Sequence, residues 1–305
     1  MKNILISGAT GFIGTALLNS FTRTGIKVRA LSRQAKPDSD LVEWVTGDLN
    51  SPQALRTLID GADTIIHCAG VVRGKSNEEF LANNSTGTAN LIAACDGQSE
   101  IKRFLLISSL AAKHPELSWY AFSKYKAEQA LKSGRNKLPG WTILRPKAVY
   151  GPGDKEIRPL LQAMKMGLLT VPNTNSKFSL IHINDLVIAI MLWAAQTTPV
   201  EGVYELDDGT ANGYNWEKLI ELAKSNWGKS VFKIPIPIIL LKMLAVTNLG
   251  LAKLFQYSPM LTPGKIQEIT HPDWTCDNTL ISSTLNWHPS IQLSDAMQDP
   301  SLLQL

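Results

Sequence analysis

The opening stretch, Lys2 to Gly14 (KNILISGATGFIG), constrains the fold of this chain more than any other. Asn3 to Ser7 is a short, mostly apolar run suited to a strand buried on both faces. Gly8, Gly11 and Gly14 follow with two residues between neighbours, and Thr15-Ala16-Leu17-Leu18 then starts a helical pattern. Strand, glycine turn and helix in that order form the opening unit of a dinucleotide-binding fold. Glycine is needed because a Cβ would hold the backbone away from a pyrophosphate. The helix N-terminus offers free N–H groups and a partial positive charge to the phosphates.

The rest of the chain is consistent with an ordinary globular protein. At 305 residues it can bury one large core or a core plus a lobe. The net charge of +4 is small for this length and there is no long Lys/Arg block, so nucleic acid is excluded as the expected partner. Cys68, Cys95 and Cys276 are far apart and lack metal-ligand spacing, which predicts reduced thiols, a cytoplasmic setting and no metal site. The N-terminal apolar run is short and already used as a strand, so no signal peptide is expected. Ile234 to Leu254 is the least polar later stretch, but Pro235, Pro237, Lys242, Asn248 and Lys253 interrupt it, and no transmembrane segment is predicted. We read it as a lid lining an apolar substrate pocket, with lobe core, a homodimer contact and a membrane-surface contact as the alternatives.

Strand-like runs at Lys27–Leu31, Val42–Thr46, Asp63–His67, Lys102–Ile107 and Thr142–Leu144 alternate with helical patterns at Ser51–Ile59, Glu78–Cys95 and Trp119–Leu131. That alternation predicts an α/β fold with a Rossmann-type, doubly wound parallel sheet over residues 1–150. Val203–Leu206 reads as a late return to the sheet, so residues 179–210 are assigned to the same domain. Residues 151–178 and 211–305 are left as a smaller, mostly helical substrate-binding lobe.

Tyr120 and Lys124 are four apart on a predicted helix and share one face. A phenol titrates near 10, and a neighbouring ammonium favours the phenolate; bringing it to around 8 needs roughly 2.7 kcal/mol, which is expected of one lysine together with the positive ring of a cofactor. Ser109 sits at the C-terminal end of a predicted parallel strand, where ligands bind in such sheets. Its hydroxyl is placed to hold a substrate oxygen while Tyr120 gives or takes the proton. The second strand ends in Ser32-Arg33, with Arg29 nearby, where NAD-specific folds usually carry an acidic residue. A guanidinium binds a 2′-phosphate in bidentate fashion, so NADP is the expected cofactor and NAD the alternative.

Further motifs occur in a familiar order: Gly47-Asp48-Leu49, His67-Cys68-Ala69-Gly70, Asn84-Ser85-Thr86-Gly87-Thr88, Ser108-Ser109, Tyr120-Ala121-Phe122-Ser123-Lys124, Leu144-Arg145-Pro146, Val149-Tyr150-Gly151-Pro152-Gly153 and His182-Ile183-Asn184-Asp185. With the opening glycine motif they resemble the extended short-chain dehydrogenase/reductase family, also called the NAD-dependent epimerase/dehydratase family. The resemblance implies that Gly8, Thr10, Gly11, Phe12, Ile13 and Gly14 cradle the pyrophosphate and that Asp48 and Leu49 contact the adenine. It places Cys68, Ala69, Gly70 and Ser108 on the cofactor path and Pro146 and Val149 beside the nicotinamide. It makes Ser109, Tyr120 and Lys124 the catalytic set, with Tyr120 as acid/base and Lys124 tuning it and holding the ribose. Asn84 matches a family asparagine whose role is either catalytic or structural.

Two departures narrow the chemistry. Leu110-Ala111 follow Ser109 where the family's dehydratases place acidic residues, which disfavours dehydration. Lys177 to Ile181 carries no arginine where nucleotide-sugar enzymes of the family usually have one. Three readings stand: a hydroxyl/carbonyl oxidoreductase for a small or moderately apolar substrate, a nucleotide-sugar epimerase with tightly held NAD, and a non-catalytic cofactor-binding relative with a regulatory or assembly role.

Overall fold

The computed structural model describes residues 3–134, 138 and 140–303; Lys2, first in the opening run, lies outside them. In chain order the first elements are β1 (Ile4–Ser7), α1 (Phe12–Arg23), β2 (Val28–Ser32), β3 (Val42–Thr46), α2 (Pro52–Ile59) and β4 (Thr64–His67). Then come α3 (Asn77–Phe80), a π-helical turn at Leu81–Thr86, α4 (Gly87–Ala94), β5 (Arg103–Ile107), α5 (Trp119–Ser133) and β6 (Trp141–Pro146). β1, β4 and β5 are buried along their whole length, as expected of strands covered on both faces. Ile4 and Ile6 point into one apolar cluster with Leu17 and Phe21, while Leu5 points into the opposite one with Leu55, Leu58 and Leu131. Period-two alternation thus feeds two helical layers from one strand.

The chain continues through β7 (Val149–Tyr150), α6 (Arg158–Lys165), β8 (Leu168–Pro172), β9 (Lys177–Phe178), β10 (Ile181–His182), α7 (Ile183–Ala195) and β11 (Gly202–Leu206). The main sheet has seven strands in the order β11-β6-β5-β4-β1-β2-β3, all paired parallel. It is the doubly wound, Rossmann-type sheet that the sequence predicts. The strand order reverses between β1 and β4, and the crevice at their C-terminal ends is where such sheets hold ligands. β11 forms an edge of this sheet beside β6, and α7 packs its Leu186, Ile190 and Trp193 into the cluster that also holds α1.

The remaining elements are α8 (Trp216–Trp227), β12 (Phe232–Ile236), α9 (Ile238–Phe255), α10 (Pro263–Thr270), β13 (Asp273–Trp274), α11 (Thr279–Leu285) and α12 (Leu293–Ala296). Three short parallel pairs, β7 with β10, β8 with β12 and β9 with β13, supplement the helices predicted here. A third cluster, with Tyr150, Leu161, Leu169, Tyr214 and Leu219, forms a separate core. The apolar run from Ile234 is part strand and part helix, and it is not core: along α9 only Ala245 and Ala252 are buried.

Candidate functional site

The glycine turn closes by contact. Gly8 has φ +76°, and a Cβ on it would stand 2.5 Å from the Ala69 backbone nitrogen at the end of β4. A Cβ on Gly14 would stand 2.0 Å from the Gly8 carbonyl oxygen, so α1 can leave β1 this tightly only with glycine there. Gly11 is the N-cap of α1 and contributes no side chain, which leaves the first turn of the helix open to the crevice. The cleft that starts here has a volume of about 1470 Å³. A single small ligand needs roughly 300–1,000 Å³, so there is room for a dinucleotide and a substrate together. The open helix terminus and the Cβ-free cradle fit a pyrophosphate.

Gly8, Thr10, Gly11, Phe12, Ile13, Gly14, Cys68, Gly70, Ser108, Ser109, Tyr120, Pro146 and Val149 all line this cleft. Five other sequence-predicted cofactor residues, Ser32, Arg33, Asp48, Leu49 and Ala69, do not line it, nor does Lys124. Asp48 accepts hydrogen bonds from Asn50 N (2.8 Å) and Ser51 Oγ (3.1 Å), an Asx turn that leads into α2. Leu49 packs against Gly87 at the start of α4. Ser32 is buried and accepts from Gln34 N, Arg33 is exposed at the end of β2, and Arg29 is occupied by Glu43 at 3.0 Å.

Ser118 caps α5 by accepting from Ala121 N at 2.9 Å, which sets Tyr120 in the first turn facing the cleft. Ser109 caps the following single turn, Leu110–Lys113, and lies beside Tyr120 on the cleft wall. Lys124, one turn deeper, is buried and donates to the Ile107 carbonyl at 2.6 Å. The sequence expectation that Lys124 draws the phenol down is not what the protein alone does. Burial pushes Tyr120 up to about 12; Ser109 opposes this, and the charges of Glu268 and Glu156 add to it. Lys124 is itself lowered to about 8 by burial, with Glu128 holding it up. Its ammonium is aimed at a carbonyl and not at the phenol, so desolvation decides the titration.

Glu128, Lys147 and Glu268 escaped the sequence reading, and Asn84 takes a structural place in it. Glu128 is fully buried on α5, in the same helical stripe as Tyr120 and Lys124. It accepts from Ser108 Oγ at 2.6 Å and from Arg145 Nε and Nη2 at 2.8 and 2.6 Å, which ties α5 to the ends of β5 and β6. The four-residue spacing continued to Glu128 was the available signal. Asn84, in the π-helical turn, accepts from Val71 N (2.7 Å) and donates to Val71 O (3.0 Å) and Ser123 Oγ (2.9 Å). It clamps the loop after β4 to α5. Lys147 lines the cleft, lies 3.8 Å over the Trp274 ring and is lowered to about 7 by burial, with Glu268 opposing. Glu268 accepts from Ser118 Oγ and lies 3.3 Å from Lys265, so α10 brings a polar group over Tyr120. Ala148, next to Lys147, is held at φ +33°, a strained conformation for a residue with a Cβ.

The family model described as NAD dependent epimerase/dehydratase matches residues 4–206, from β1 to the edge strand β11. The chain belongs to that family. Among curated members it is 37% identical over 279 residues to the ceramide reductase of Caulobacter vibrioides, covering 89% of this chain and 85% of the relative. It is 28% identical to the UDP-glucose 4-epimerase of Vibrio cholerae, covering 97% and 94%. The UDP-glucuronic acid 4-epimerase of Bacillus cereus, solved with NAD, superposes with a TM-score of 0.77 at 19% identity, covering 99% of this chain and 98% of that one. The last likeness shows the fold. Family members are reductases, epimerases and dehydrogenases of the extended short-chain type, and this chain is an enzyme of that type.

Proposed function

We propose that the protein is an NADP-preferring reductase of a keto group on a ceramide-like, long-chain lipid, working in the cytoplasm. The reductive direction rests on the similarity to the Caulobacter ceramide reductase, and the group placed to serve it is Tyr120, which lines the cleft beside Ser109. Reduction needs a donor at the carbonyl oxygen, whereas oxidation needs a base there. The substrate oxygen sits between the Ser109 and Tyr120 hydroxyls, and Tyr120 hands over its proton as the carbon becomes tetrahedral. A nicotinamide dinucleotide bound along the cleft supplies the hydride. The glycine turn and the first turn of α1 would hold its pyrophosphate and the stretch from Pro146 to Val149 its reactive end; Lys124, buried behind Gly70, would reach its ribose on turning from the Ile107 carbonyl.

The similarity to the Caulobacter ceramide reductase supports the substrate class. So does the cleft, which has Lys147 and Glu268 near Tyr120 and Leu249, Pro259 and Met260 farther along its wall. Such a wall suits an amphiphile with a polar head and an apolar tail. Arg33, exposed where β2 ends, supports the preference for a 2′-phosphate. The free Cys68, Cys95 and Cys276 support a reducing compartment. The test is to supply NADPH with a ceramide whose secondary alcohol has been oxidised to the ketone, and to follow loss of the reduced nicotinamide and formation of the alcohol. Stoichiometric turnover is expected. Interconversion of UDP-glucose and UDP-galactose without net cofactor consumption would instead identify an epimerase.

A further inference from the structure

α9 lies on the outside of the small lobe with its apolar side turned to solvent. Ile239 is 74% exposed, Met243 64%, Val246 60% and Leu254 72%. Their spacing of three, four and eight residues puts them on one stripe, while the buried Ala245 and Ala252 mark the opposite one. Phe232, at the start of the strand β12 that leads into α9, is also 70% exposed. A stripe this large and continuous on a folded chain marks an interaction surface.

By length and composition α9 could cross a membrane. Its attachment argues that it lies flat instead. Ala245 and Ala252 pack against the body, Asn248 donates to the Leu261 carbonyl at 2.9 Å, and Tyr257 donates to Asn248 Oδ1 at 2.5 Å. The chain enters α9 from β12, which is paired with β8, and leaves it into α10, which closes over the cleft. Both ends therefore return to the same folded unit.

Charge selects the occupant. Between Glu221 and Glu268 the sequence has no Asp or Glu, but it has Lys224, Lys229, Lys233, Lys242, Lys253 and Lys265. Lys233 pairs with Glu217 and Lys265 with Glu268. Lys242 and Lys253, both exposed, border the apolar stripe on one side of the helix. Two copies meeting through this face would set lysines against lysines. An anionic lipid surface complements both features, taking the apolar stripe into the acyl boundary and the ammonium groups among the headgroups. The surface is also continuous with the cleft, since Leu249 of α9 and the adjoining Pro259 and Met260 line it.

We propose that α9 docks the protein on an anionic phospholipid bilayer as an interfacial helix, with the Leu249–Met260 edge of the cleft turned to the lipid. The inference rests on this surface alone and does not depend on which carbonyl is reduced, so it is tested without cofactor or substrate. The full chain is mixed with phosphatidylcholine vesicles, with or without phosphatidylglycerol, and sedimented. Binding is expected on the anionic vesicles and weakens with added salt. Lys242→Glu with Lys253→Glu should cost at least about tenfold on anionic vesicles, each lysine being worth around fivefold. Met243→Glu with Leu254→Glu should cost at least about a hundredfold, because two large apolar groups no longer enter the interface. Leu280→Glu, at an exposed position on α11, controls for added negative charge and should leave binding within about twofold. All these side chains are exposed, and unchanged thermal melting verifies folding. Absence of wild-type binding to anionic vesicles overturns the proposal. So does a wild-type dimer in the ultracentrifuge that Met243→Glu with Leu254→Glu converts to monomer while vesicle binding is unchanged; the occupant would then be a second copy.

Discussion

Replacing Glu128 by alanine removes a fully buried carboxylate that accepts three hydrogen bonds, one from Ser108 and two from Arg145. The guanidinium left behind is itself largely buried, with 15% of its side chain exposed. Breaking a buried pair from one side costs about 3–5 kcal/mol. A chain of this size shifts by roughly 2–4 °C per kcal/mol, so the melting temperature should fall by around 10 °C. Calorimetry and a denaturant titration followed by tryptophan fluorescence measure the loss. The double variant Glu128→Leu with Arg145→Leu should recover most of it, because no stranded charge remains. A second readout separates this residue from ordinary core. Glu128 is the principal group holding the proton on Lys124, which burial has already lowered to about 8. Without the carboxylate Lys124 loses its proton at still lower pH, so the alkaline limb of cofactor binding should move towards neutrality. A single-variant loss below about 1 kcal/mol, or an unmoved alkaline limb, would refute the reasoning.

Tyr120→Phe keeps the ring and removes the proton donor; turnover should fall by roughly a hundredfold or more while cofactor affinity, read by fluorescence titration, stays within about twofold. Near-normal turnover would remove Tyr120 from its assigned role. Arg33→Ala should weaken NADP binding by about tenfold and leave NAD binding unchanged. Equal affinity of the wild type for the two cofactors would remove the basis for the NADP preference.

Much of the fold could be read from the sequence because local and global signals agree there. β1, β4 and β5 are short apolar runs buried on both faces, and the glycine turn between β1 and α1 admits no other residue at Gly14. The misreadings fall where long-range contacts decide. Glu78 to Cys95 reads as one helix and is continuously helical to Ala94, but Leu81–Thr86 winds as a π-helical turn, and the contacts that aim Asn84 at Val71 and Ser123 are long-range. The role of Glu128 depends on Arg145, a residue on another element seventeen positions away. The titration of Tyr120 depends on how deeply α10 and the surrounding loops bury it, which four-residue spacing does not reveal. The lid reading of Ile234 to Leu254 followed from composition, but of α9 only Leu249 lines the cleft, and Leu244 is 49% exposed. Apolar content shows that a segment avoids water. It does not show whether its cover is the protein or something outside it.

The edge strand β11 sets a clock for synthesis. β6 is complete at Pro146, but its partner ends at Leu206. At roughly 5–20 residues per second the interval is on the order of 3–12 s. For that time the growing chain presents a bare edge at β6, and Leu17 and Phe21 of α1 wait for Leu186, Ile190 and Trp193 of α7. An unpaired edge beside uncovered apolar surface is a template for wrong pairing. The dinucleotide cradle is thus made before the last strand has joined the sheet and before α7 covers α1, and chaperone cover matters most in that window.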